Sequence, residues 1–244
     1  MTITTYSEKH CNKSTRGYTT LYDAILAHYG IDNDITEIGI GLGESHVKWA
    51  NIMTGNTIGI DVSGPVVTEM ADEQQVKNYI MLQNYLTSLD QSIIDKLKFT
   101  FNTDAFASDT AKNIADIYGK QRIVINDSKH RPFIWQDFQN TWFDQLADDG
   151  VLIQEDFGRD IDNDNAVEIP NFDSINSAIE QGWHVYDFTD NKKIDAITST
   201  ADIYGPGGTA ESSKTNYIGV KFKNPNMISI LKSLENRLYK STKA

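Results

Sequence analysis

Apolar runs of strand length alternate with amphipathic runs of helix length along almost the whole of this 244-residue chain, and that alternation limits the fold more than any single residue does. The strand-like runs fall at 35–40, 56–61, 98–102, 122–127, 150–156, 183–188 and 216–223. The helical period recurs at 45–53, 69–89, 108–118, 132–146 and 173–181. Strands joined through a helix return parallel, so the pattern predicts a mostly parallel sheet with helices on both faces. In the fourth helical run Ile134, Phe138, Trp142 and Leu146 recur every four residues as one apolar stripe, expected to be core. Only a long Gly-, Ser- and Thr-rich segment separates the last two strand runs, which predicts a functional lid or mobile loop there and an antiparallel final strand.

Bulk properties exclude several classes. With 39% hydrophobic and 23% charged residues the chain has an ordinary globular composition. No apolar run approaches the roughly 20 residues of a spanning helix, and MTITTYSEKH is too polar for a secretory signal, so no membrane role and a cytoplasmic location are expected. Cys11 is the only cysteine, which removes an intramolecular disulfide and a thiolate zinc site. A net charge of -12 opposes binding to a phosphate backbone. The locally basic end carries Met227, Ile230, Leu231, Leu234 and Leu238 at helical spacing and is expected to dock on the core as a helix, so no nucleic-acid partner is anticipated.

Between the first strand and first helix stands ITEIGIGLGESHVKW. A dinucleotide fingerprint requires G-x-G-x-x-G, but its last glycine falls on Glu44 when counted from Gly39 and on His46 when counted from Gly41. A carboxylate at the helix start would also repel a diphosphate. No Gly-Lys-Ser/Thr follows, so the phosphate loop fails as well. The remaining pattern, E-x-G-x-G-x-G from Glu37 through Gly39 and Gly41 to Gly43, resembles the first motif of class I S-adenosyl-L-methionine-dependent methyltransferases. Their cofactor has a sulfonium cation and no phosphate, and suits a turn of bare backbone with an acid beside it. Asp61, ending the second strand, stands where a carboxylate grips ribose hydroxyls or, alternatively, caps a helix. Asp104 follows the third strand, in the region that meets adenine, with Phe101 or Phe106 available for packing.

Two strand ends carry further chemistry. The fourth leads into Asn126, Asp127 and His130; the fifth ends in Glu155 and Asp156. Ligands of open α/β sheets bind outside these carboxyl ends. If the two strands are neighbours, Asp127, Glu155 and Asp156 are candidate magnesium ligands, Asn126 is expected at the cofactor, and His130 is the candidate general base. Each also has a structural reading: Asp127 or Ser128 as a helix cap, Glu155 and Asp156 as solvated acids. The run GRDIDNDNAVE fails as a calcium loop, since Asn165 replaces the required glycine and Asn171 the final Glu, and is expected to be a solvated loop lining the acceptor pocket.

RIVINDSKHRPFIWQDFQNTWFDQLADDGVLIQEDF resembles the corresponding segment of the macrocin and mycinamicin type sugar O-methyltransferases and their cephalosporin-hydroxylase-like relatives. SEKH, GYTTLYDAI and EIGIGLGES resemble the N-terminal signature of that family, in scattered blocks over roughly residues 7–157. The resemblance implies a Rossmann-like class I methyltransferase fold, with a seven-stranded, mostly parallel sheet, the last strand antiparallel and helices on both faces. It also implies magnesium-assisted methyl transfer to a hydroxyl of a small, sugar-like acceptor, with His130 as base. Asn126 replaces the family's first Asp, Ser128 its Gly and Lys129 its Ser, which lowers the expected metal affinity. N-methylation, cofactor cleavage and a non-catalytic cofactor-binding module are the alternatives, and a homo-oligomer is left open. One domain over 1–244 is expected, with 1–34 a helical cap, 35–223 the sheet and its helices, and 224–244 a C-terminal helix.

Overall fold

The computed structural model describes residues 17–69, 71–128, 131–162, 167–188, 192–195, 217–232 and 234–235. Helix α1 (Thr19–Tyr29) precedes β1 (Ile35–Ile38), α2 (Glu44–Ile52), β2 (Thr57–Ile60), α3 (Glu73–Leu86), the one-turn α4 (Gln91–Ile94), β3 (Leu97–Thr100), α5 (Thr110–Tyr118), β4 (Gln121–Asn126), α6 (Ile134–Trp142) and β5 (Leu146–Gln154). Strands β6 (Arg159–Asp162) and β7 (Val167–Pro170) follow, then α7 (Phe172–Glu180), β8 (His184–Asp187), β9 (Lys192–Ile194) and β10 (Tyr217–Phe222). The main sheet has the order β3-β2-β1-β4-β5-β10-β8-β9. Its first five strands run parallel, and β10 lies antiparallel between β5 and β8, in register Gly219↔Gln154 and Gly219↔Val185. The expected reversal of the last long strand is therefore present.

Two expectations need correction. The sheet has eight strands, because Lys192–Ile194 adds an antiparallel edge to β8, where Ile194 sinks into the core. The run around residues 159–170 is a two-stranded ribbon rather than a loop, with Asp160 opposite Ile169. Its density of acids hid an alternation of charged and apolar residues that suits a strand. Helix boundaries also tightened: the run 69–89 begins only at Glu73, where Asp72 and Gln75 form a reciprocal capping box. The run 132–146 ends at Trp142 in a single 3-10 turn, and Leu146 already opens β5.

Period-two alternation divides the central strands between two cores. Ile123, Ile125, Val151 and Ile153 face α1, Trp49 and Ile52 of α2, and the C-terminal Ile230, Leu231 and Leu234. Val124 and Leu152 face the opposite layer, which holds Ile114 of α5, Phe138 and Trp142 of α6 and Ile175 of α7. All four residues of the Ile134–Leu146 stripe are buried. The segment between β9 and β10, Leu238 and Cys11 lie outside the described residues.

Candidate functional site

The chain moves outward from β1 to β2 and β3, then crosses back to place β4 and β5 on the other side of β1. Helices diverge at such a reversal and leave a crevice at the carboxyl ends of the strands. A cavity of about 340 Å³ opens there, walled by Gly39 and Gly41 after β1, Asp61 and Ser63 after β2, Asp104 and Phe106 after β3, and Asp127 and Ser128 after β4.

All three glycines of the turn have positive φ: 80° at Gly39, 50° at Gly41 and 80° at Gly43. Their surroundings differ. A Cβ on Gly39 would lie 2.5 Å from the Asp127 carbonyl oxygen, so this residue lets the end of β4 close on the turn. A Cβ on Gly43, the N-cap of α2, would strike Leu82 of α3. At Gly41 it would meet nothing within 4 Å, which leaves bare backbone facing the cavity.

Two carboxylates brace this turn. Glu37 is fully buried behind it and accepts from Ser45 Oγ at 2.6 Å, while its other oxygen lies 3.2 Å from His46 Nδ1. Asp61 Oδ2 accepts from the N–H groups of Ile40 at 2.8 Å and Gly41 at 3.0 Å, and its Oδ1 from the Ser63 N–H at 2.6 Å. It caps no helix. It fastens the turn, and keeps about one of its four lone-pair sites for anything in the cavity. Asp104 Oδ1 accepts from the Phe106 N–H at 2.9 Å, an Asx turn that sets Phe106 on the wall. Phe101 instead stacks on Phe99 at 5.1 Å, away from the cavity lining. Where α3 packs over α2, burial and the Glu44 carboxylate push the Tyr85 phenol above its ordinary pKa.

The remaining candidates go different ways. Asn126 is buried outside the cavity lining, its amide nitrogen donating to Gln154 Oε1 at 2.6 Å and its oxygen accepting from Ser128 Oγ at 2.6 Å. Asp127 lines the cavity. Glu155 and Asp156 are buried and not solvated: Tyr22 of α1 donates to Glu155, and Tyr18 to Asp156 at 2.9 Å, with Asp156 held at φ 48°. Among the described residues no three His, Cys, Asp or Glu side chains come together, so Asp127, Glu155 and Asp156 form no common ligand set. For Glu155 and Asp156 the physical reason is that buried carboxylates need donors, and the hydroxyls of Tyr22 in α1 and of its N-cap Tyr18 supply them. Glu155 and Asp156 turn to tyrosines while Asp127 lines the cavity, so the three do not fit one shared magnesium site, and no step is routed through it. His130, the candidate base, lies outside the described residues.

Sequence reasoning did not place Gln75, Asn78, Ser63 and Thr103 on the wall. The spacing of Asp72 and Gln75 signals a helix start, but no local pattern shows that this helix borders the cavity. Neither Tyr18, the N-cap of α1, nor Tyr22, one turn into that helix, carries a local mark of the acid it meets. The described lining contains three carboxylates, Asp61, Asp104 and Asp127, and no Lys, Arg or His. Such a wall repels a diphosphate and favours a neutral or cationic ligand.

The sequence matches no protein-family model and no curated protein. Among solved structures, the chain is similar to the MycE methyltransferase from the mycinamycin biosynthetic pathway in complex with Mg, SAH and mycinamycin VI, at 20% identity over 57% of this chain and 34% of that one, with a TM-score of 0.41. It thus spans about a third of that protein's length. It is also similar to the O-methyltransferase from Bacillus cereus in complex with SAH, at 12% identity over 88% of this chain and 83% of that one, TM-score 0.47. A third is the RNA methyltransferase from Salinibacter ruber in complex with S-adenosyl-L-homocysteine, at 19% identity over 56% of this chain and 74% of that one, TM-score 0.38. The mostly parallel sheet with antiparallel C-terminal strands and helices around it is a Rossmann-like class I methyltransferase fold, with β9 as an added edge.

Proposed function

We propose that this chain is an S-adenosylmethionine-dependent methyltransferase acting on a hydroxyl of a small, sugar-like acceptor. The observation that carries the reading is the acid-lined cavity over the bare backbone of Gly41, at the reversal of strand order. The residues present fit the cofactor: Gly39, Gly41 and Gly43 shape the turn, Glu37 and Asp61 hold it rigid, and Asp61 and Asp104 offer acceptors to the nucleoside half. When bound, the cofactor supplies an electrophilic methyl group on a sulfonium. With that methyl delivered to the acceptor oxygen, His130 would take the hydroxyl proton. General-base help of this kind contributes about a hundredfold to ten-thousandfold. The sugar-like acceptor rests on the resemblance around residues 122–157.

Calorimetry with S-adenosylmethionine and its demethylated product, followed by transfer of labelled methyl to pools of sugars and other small alcohols, tests this. Binding with label in a hydroxyl acceptor is the expected result, and His130→Ala is expected to lower turnover at least a hundredfold. Label found in an amine or in a cofactor fragment would overturn the hydroxyl assignment, and no binding of either compound would overturn the cofactor assignment.

A further inference from the structure

Helix α3 contributes a wall of the cavity that the glycine motif and the strand-end acids leave out. Gln75 and Asn78 both line it. They are three residues apart and so share one face of the helix. Gln75 is also the N3 member of the capping box. Asp72 Oδ1 accepts from the Gln75 N–H at 3.0 Å, and Gln75 Oε1 in return accepts from the Asp72 N–H at 3.0 Å.

That reciprocal bond has a second consequence. A backbone N–H can only donate, so the atom it meets must be the amide oxygen, and the orientation of the Gln75 amide is fixed without ambiguity. The Gln75 nitrogen, with two N–H groups, has no protein acceptor among the described residues. Asn78 has a parallel arrangement: its Oδ1 accepts from Gln74 Nε2 at 3.0 Å, which leaves its own NH2 as the unused end. The cap thus pins one neutral donor, Gln75 Nε2, beside a cavity whose carboxylates are acceptors, with the Asn78 NH2 on the same helix face. A nucleoside presents both kinds of group: hydroxyls that donate to Asp61, and ring nitrogens and ribose oxygens that require donors. Among the described lining, uncharged amides supply such donors where no Lys or Arg does.

We propose that Gln75 contacts the ligand directly, donating through Nε2 to an acceptor on the nucleoside half, with Asn78 as the second donor, and that the capping box holds Gln75 in place for this. The inference rests on the cofactor reading above. Helix α3 follows β2, and Asp61, the residue after that strand, belongs to the ribose side in that reading, which assigns the donors to the nucleoside and not to the methionine tail.

The capping box itself makes a clean test available. Glu serves at N3 as well as Gln does, so Gln75→Glu keeps the acceptor for the Asp72 N–H while deleting the donor. The full chain and this variant are titrated calorimetrically with S-adenosylhomocysteine and with 5′-methylthioadenosine, which lacks the amino-acid tail, and melted thermally. The expected result is an unchanged melting temperature and about a tenfold or greater loss of affinity, the same for both ligands. Asn78→Ala is expected to weaken both ligands in the same equal manner. Wild-type affinity in Gln75→Glu, or a loss confined to the ligand with the tail, overturns the proposal while the cofactor reading stands. Failure of the wild-type chain to bind either ligand overturns both.

Discussion

Three glycines in one turn look alike in the sequence, yet their neighbours assign them different work. Gly39 is pressed against the backbone of Asp127, whereas Gly41 faces open space. Gly39→Ala therefore adds a clash with backbone to a strained φ, at a cost of about 2–4 kcal/mol. Gly41→Ala bears only the left-handed penalty of about 1–2 kcal/mol, but puts a methyl group where ligand would lie. Urea melts combined with S-adenosylhomocysteine titrations should show the first variant failing mainly in stability and the second mainly in binding. Equal stability losses would remove the distinction. Asp61 was expected at the ribose from its place after the second strand; the same placement lets it fasten the Ile40 and Gly41 amides, a role visible only with the turn folded over it.

At the scale of elements, α1 is attached to the sheet by more than its apolar face. Leu21 and Ile25 pack into the core, and Tyr22, with the N-cap Tyr18, reaches the two acids that follow β5. Tyr22→Phe keeps the ring and its edge contact with Trp49 but leaves buried Glu155 short of a donor. The expected loss is about 1–3 kcal/mol in chemical denaturation, against near neutrality had Glu155 been a solvated acid. The stripe on α6 needed no tertiary information, because a four-residue recurrence of Ile, Phe and Trp can only face a core. The acidic ribbon β6–β7 needed it, since strand pairing there joins residues whose local composition suggests solvent.

For the whole molecule, stability should depend on pH through the far edge of the sheet. His184, at the start of β8, has its pKa held below the ordinary 6.5 by burial first and Lys193 second, against the opposing pull of Glu235 and Asp195. Between the folded and unfolded values the unfolded chain binds the extra proton, so stability rises with pH in that window. It is complete above about pH 6.5 and is lost as pH falls through the folded-state pKa. Urea midpoints at successive pH values below 7 should drop less for His184→Gln than for the parent chain; identical slopes would exclude this histidine as the source.

The alternation of strands and helices, the bend of glycines after β1, the reversed final strand and the row of acids at strand ends are all legible in the sequence. These follow from steric periods of two and 3.6 residues and from the left-handed backbone that glycine tolerates, all of which act between near neighbours in the chain. The partner that each polar group takes is set by folding. Tyr18 meets Asp156 and Tyr22 meets Glu155 across more than 130 residues. Asn126 turns inward to Gln154, and Gln75 is brought to the cavity by a helix that carries no mark of it. A carboxylate looks the same in sequence whether it awaits a cation, a ribose or a phenol, because its choice is set by the donors that folding brings within hydrogen-bond reach.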